Sequence, residues 1–148
     1  MDILNSDIIL RLLVAVLLGG VIGIERNMAG KAAGLRTYSL VSMGSALFII
    51  ISDLAGKLYP YATAFDPLRV ASQVIVGIGF LGAGMIIFHN NKVEGLTTAA
   101  GMWVAAGIGM AAGFGLYSLS VLVSALTIFI FTAMWFLEKF VFGKTSKQ

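Results

Sequence analysis

Two groups of polar side chains stand where apolar segments end, and both can do more than face water. Glu25 and Arg26 close one apolar run, and Arg36 and Thr37 open the next after a loop of residues 27–34. An unpaired charge beside a low-dielectric interior is costly. Glu25 is therefore expected to pair with Arg26, Arg36 or both, tying the two segments together; the same cluster also suits a docking surface for a cytoplasmic or membrane partner. The second group is Arg69 and Gln73, four residues apart and so on one helical face. An interfacial anchor with one interhelical hydrogen bond and a functional role both fit this pair. Directly after it, Gly77, Gly79 and Gly82 spell G-x-G-x-x-G, with Gly84 completing four glycines in eight residues. That spacing makes a dinucleotide site only between a strand and a helix of a βαβ unit. Here the glycines lie inside an apolar run, so close helix packing or an irregular, pathway-lining segment is the expectation.

Reactive chemistry is scarce. His89 is the only histidine and there is no cysteine, so neither a catalytic triad nor a zinc set can be assembled. The acids Asp2, Asp7, Glu25, Asp53, Asp66, Glu94 and Glu138 all fall at or beyond the ends of apolar runs. A hydrated magnesium ion asks for one or two carboxylates in octahedral array, and none is expected at a membrane midplane, although carbonyls freed by glycine-rich segments also coordinate cations. The reading is therefore of no enzyme, no metal site and no cofactor.

The elements that position these groups follow from composition. Of the 148 residues, 59% are hydrophobic and 11% charged, with 18 glycines. A soluble domain carries about a quarter charged residues, whereas glycine lets helices approach closely in lipid. A membrane crossing takes about 20 residues, and that ruler divides the chain into five spans, at about 8–25, 35–55, 70–88, 95–112 and 117–137, in a single transmembrane domain over 1–148. The last two come from an uncharged stretch of 43 residues, Gly95 to Leu137. As one helix it would be far longer than a bilayer is thick, and the break is expected at Gly113-Phe114-Gly115. Thr97 and Thr98 are expected to open the fourth span, a threonine hydroxyl capping its free N–H groups. Met1 to Asp7 has no basic residue and no cleavage site follows, so the first span is expected to remain in the mature protein.

Lys and Arg concentrate on cytoplasmic loops. With the N-terminus outside, Arg26, Lys31, Arg36, Lys92, Lys139, Lys144 and Lys147 face the cytoplasm, against Arg11, Lys57 and Arg69 outside. The expected fold is all-α, a polytopic bundle of about five spans, N-out and C-in. Arg11, one turn inside its span, is expected to snorkel to the headgroups with Asp7 as a helical partner. The segment Lys57 to Pro67, with Tyr59, Pro60, Tyr61 and Phe65, suits the headgroup zone. Small residues four apart mark Ala15, Gly19 and Gly23 of span one and Gly101, Ala105, Gly109 and Gly113 of span four as inward faces. Span five, with Phe129, Phe131, Trp135 and Phe136, is expected at the periphery, offering only Ser120, Ser124 and Thr127 as a small polar edge. Ten scattered cations make no basic patch, so no nucleic acid partner is expected.

Taken in order, Gly19-x-x-x-Gly23-Ile24-Glu25-Arg26, Gly34-Leu35-Arg36-Thr37, Arg69-Val70-Ala71-Ser72-Gln73, Gly77 through Gly84, and Gly95-Leu96-Thr97-Thr98-Ala99-Ala100 with Trp103 resemble the blocks of the MgtC/SapB family. Gly113-Phe114-Gly115-x-Tyr117 is similar too, and the match runs from about Gly19 to Tyr117. The resemblance implies a bacterial inner-membrane protein linked to growth under magnesium limitation, to survival of pathogens inside host cells, and in some members to restraint of the F-type ATP synthase. Several members carry a soluble domain after the last span; this chain ends at Gly143 to Gln148, so functions residing there do not carry over.

Two functional expectations result. One is a non-enzymatic regulatory protein in the bacterial inner membrane, acting through helix contacts within the lipid bilayer, with Glu25, Arg26, Arg36, Arg69 and Gln73 as its most consequential polar residues and the ATP synthase as a family-implied partner. The other is a small ion channel or transporter, for Mg2+ or another ion, formed by a homo-oligomer because five spans are few for a complete pathway.

Overall fold

The structure is a computed structural model that describes residues 6–59, 66–89 and 91–142. It is a bundle of five helices, each long and apolar enough to cross a membrane. Helix α1 runs Ser6–Met28 and α2 Leu35–Leu58, joined by a short turn; α3 spans Pro67–Met85 and α4 Leu96–Gly113. The fifth crossing is composite: α5 (Tyr117–Phe129), a π-helical turn (Ile130–Met134) and α6 (Trp135–Phe142). Pro60, Tyr61 and Phe65 of the expected headgroup segment, and Lys144 and Lys147, lie outside the described residues.

Each helix boundary has a local cause. Asp66 caps α3, its carboxylate accepting the Leu68 N–H at 2.9 Å, and Pro67 opens the first turn, where its missing N–H is harmless. The break after α4 falls at Gly113-Phe114-Gly115. Gly115 takes φ +77°, the Leu116 N–H reaches the Ala111 carbonyl (2.8 Å), and the Gly115 N–H reaches Ala112 (2.9 Å). This is a Schellman ending, and it leaves the Gly113 carbonyl to find another donor. The π turn in the last span coincides with Thr132, whose hydroxyl donates to the carbonyls of Ile128 (2.8 Å) and Phe129 (3.3 Å). Ser120, Ser124 and Thr127 back-bond similarly one turn upstream, a habit that perturbs helix geometry.

The third span departs from its expected end at Phe88. The helix stops at Met85, and Ile87–His89 pairs antiparallel with Lys92–Glu94, Phe88 opposite Val93 and His89 opposite Lys92. Branched and aromatic residues favour the extended form, and Asn91, at φ 62°, supplies the reversal that an asparagine tolerates. The two short strands are exposed and do not alter the helical class.

Helix α4 is the centre of the bundle. It touches α1, α2, α3 and α5, and its face Gly101, Ala105, Gly109 and Gly113 is buried. Ala15, Gly19 and Gly23 of α1 are buried as well. The glycines matter because backbone meets backbone: a Cβ on Gly109 would stand 2.0 Å from the Ser42 carbonyl oxygen, and one on Gly19 2.6 Å from that of Tyr38. In the last span, Ser120, Ser124 and Thr127 of α5 are buried while Phe129, at its end, and Trp135 and Phe136 of α6 are exposed. By contrast α3 buries only Ile78 and Gly82.

Candidate functional site

Three polar assemblies sit on this frame, and the sequence expectations distribute unevenly among them. The first lies where α1 ends. Arg26 is 3% exposed, its Nε donating to Glu25 Oε2 (2.5 Å) and Nη2 to Oε1 (2.8 Å). The pair is therefore between neighbours on one helix and does not itself join α1 to α2. The tie runs elsewhere: the guanidinium lies 3.7 Å from the centroid of the Phe131 ring, a cation–π contact reaching across to the π turn of the last span. Beside it the buried Tyr38 hydroxyl donates to the Thr98 carbonyl at 3.3 Å. Gly101 makes room for both rings, since a Cβ there would meet Tyr38 Oη at 2.5 Å and Phe131 Cζ at 2.8 Å.

Arg36 does not enter this cluster. It is exposed and Thr37 half-buried, because Tyr38 is the residue of that turn aimed at the core, and a side chain two positions earlier points to the opposite side of the helix. Thr97 and Thr98 correct their expectation too. Helix α4 opens on Gly95 at φ 87° with no side-chain cap, Thr98 being buried and Thr97 exposed. The hairpin return forces the backbone so close to Met85 that a Cβ at position 95 would lie 2.0 Å from its carbonyl oxygen, a space only glycine fits.

The second assembly is at the other end of the bundle. Arg11 does not reach out to headgroups; it turns into the protein. Its Nη1 donates to the orphaned Gly113 carbonyl at 2.9 Å, its Nη2 pairs with Asp7 at 2.6 Å, and Asp53 stands 3.9 Å away. Asp53 in turn pairs with Lys57 (2.8 Å), and the Tyr117 hydroxyl donates to Asp7 (3.3 Å). A cation at the carbonyl end of α4 also opposes the helix dipole. One guanidinium thus joins α1, α2 and the α4–α5 turn. The i, i+4 spacings of Asp7 with Arg11 and of Asp53 with Lys57 were visible in the sequence, whereas the Gly113 link depends on which helices become neighbours.

The third assembly is α3. Arg69 and Gln73 are exposed, and among the described residues no acid pairs with Arg69. Of its four clustered glycines, Gly82 alone lies against a neighbour, where an added Cβ would stand 3.6 Å from that of Ala99, while Gly77, Gly79 and Gly84 face open space. Between α2 and α3 runs a groove of about 520 Å3, lined by apolar side chains with Gln73 and Ser45 as its polar members.

Known proteins are similar to this chain in sequence. It is 46% identical over 129 residues to the Escherichia coli K12 protein called "Putative magnesium transporter YhiD", covering 86% of this chain and 60% of that protein. Protein SapB of Bacillus subtilis is 42% identical over 103 residues (68% of this chain, 44% of SapB), and Protein MgtC of Brucella abortus 47% over 89 (60% and 35%). The chain thus spans about three fifths or less of the length of these relatives. No solved structure matches it significantly. The family model described as MgtC family matches residues 12–140, which take in the Glu25–Arg26 pair, the open glycines of α3 and the Gly113 turn, and the chain belongs to the MgtC family.

Proposed function

We propose that this chain is a non-enzymatic component of the bacterial inner membrane, oriented N-out and C-in, that acts by helix contact with membrane partners in the cell's handling of magnesium. The observation that carries the reading is the bareness of α3: one complete span, with two buried residues, presents Gly77, Gly79 and Gly84 to open space. Small residues are what transmembrane helices use for close association. The charged side chains at the bundle ends, Arg11 and Arg26, have their hydrogen bonds inside the chain, which leaves α3 as the surface to offer a partner. The name of the relative YhiD supports the magnesium link, and the family resemblance implies the ATP synthase as one partner. Photocrosslinking from positions 76, 79 and 83 in native membranes tests this. A discrete adduct with another membrane protein is expected, and uncrosslinked chain at every position overturns the reading.

A second reading is a small ion pathway between copies of the chain in a homo-oligomer. It is favoured by the same glycines, which leave open space beside α3, and by the transporter name of that relative. Flux of magnesium and of simple anions in liposomes, abolished by Gly79→Leu, would establish it and demote the first.

A further inference from the structure

The groove between α2 and α3 has a shape that selects its occupant. Leu40, Gly44 and Phe48 line one wall, and Gln73, Gly77 and Leu81 line the other. Along α3 the lining extends from Val70 to Leu81, about 16 Å at 1.5 Å per residue. That is half of a hydrocarbon core about 30 Å thick, the depth of one leaflet. Along this length the walls are apolar and the groove is open on one side, which suits a flexible acyl chain entering from the bilayer.

The mouth of the groove carries charge. Arg69 lies one turn before Gln73 on the same helical row that continues through Gly77 and Leu81. Its guanidinium is exposed, has no acidic partner among the described residues, and stands at the end of a span where headgroups begin. An arginine fork matches the oxygens of a phosphate. The groove exists because Gly44 and Gly77 both face open space, where any side chain would fill it.

We propose that this groove seats one glycerophospholipid, an acyl chain lying between α2 and α3, the glycerol esters within reach of the Gln73 amide, and the phosphate on Arg69. The bilayer offers acyl chains everywhere at no hydrophobic gain, so retention rests on the phosphate contact and the fit. The site differs from the Arg11 and Arg26 assemblies in using a cation with no acidic partner among the described residues.

The test is lipid retention by the purified full chain in detergent, read by native mass spectrometry and by phosphorus content. Wild type is expected to hold about one phospholipid per chain. Gly77→Leu fills the channel from a position with no neighbour to clash with, and leucine is the better helix former, so folding is preserved while lipid is lost. Arg69→Gln is expected to lower retention about tenfold, the equivalent of one charge-assisted hydrogen bond, and Arg69→Lys to recover part of it. Wild type free of lipid, or Gly77→Leu retaining as much as wild type, overturns the proposal. So does a disulfide-linked dimer through Gly44→Cys and Gly77→Cys in place of bound lipid, which would identify a second copy as the occupant.

Discussion

Gly109→Ala, set against Gly107→Ala on the same helix, isolates the principle that holds this bundle together. At 109 the new methyl would lie 2.0 Å from the Ser42 carbonyl oxygen and 2.7 Å from its carbon, both backbone atoms with no rotamer to change. Real Cβ contacts stay beyond 3.0 Å, so α4 must move off α2 by about 1 Å. A gap of that size forfeits a quarter to a half of the dispersion energy of each pair it separates, and the pairs include Gly113 against Ala46 and Ile49. Overpacking of well-packed sites costs about 1–3 kcal/mol, and rigid backbone on both sides puts this site at the upper end, about 3 kcal/mol. At 107 a Cβ meets nothing within 4 Å, and alanine gains up to about 1 kcal/mol of helix propensity. The two variants should therefore move stability in opposite directions, about 3–4 kcal/mol apart, measured by reversible unfolding in mixed detergent micelles. Equal stabilities, or Gly109→Ala within about 0.5 kcal/mol of wild type, would refute backbone contact as the packing principle of α4.

Arg26→Ala removes a buried cation from Glu25 and Phe131 and is expected to cost about 2–4 kcal/mol, whereas Arg36→Ala, at an exposed position, should stay within about 0.5 kcal/mol; the same unfolding assay compares them. Phe131→Leu keeps apolar volume but removes the ring under the guanidinium, and a loss of about 1 kcal/mol is expected. Arg11→Gln leaves Asp7 without its cation and weakens the hold on the Gly113 carbonyl, which should cost about 1–2 kcal/mol and accelerate proteolysis at the α4–α5 turn. Lys57→Ala breaks an exposed pair and should change stability by no more than about 0.5 kcal/mol at moderate salt.

Length, apolarity and punctuation carried most of the architecture. Five crossings and the break at Gly113-Phe114-Gly115 follow from one-dimensional facts: a bilayer has a thickness, a helix a fixed rise, and a Schellman turn wants glycine at one position. The inward faces of α1 and α4 were legible for a similar reason, since small residues four apart can line up only on one side of a helix. The hairpin after Met85 was not, because a short apolar run reads alike as helix or strand. Tertiary structure alone decided the partners. Arg11 meets the Gly113 carbonyl, 102 residues away, and Glu25 pairs with Arg26, which meets Phe131, while Arg36 stays outside the cluster. Both choices depend on which helices stand side by side and how each is rotated, and sequence spacing reports rotation within one helix but nothing of its neighbour. The same holds for the glycines of α3: their number was plain in the sequence, but only the assembled bundle distinguishes Gly82, packed on Ala99, from Gly77, which opens a groove.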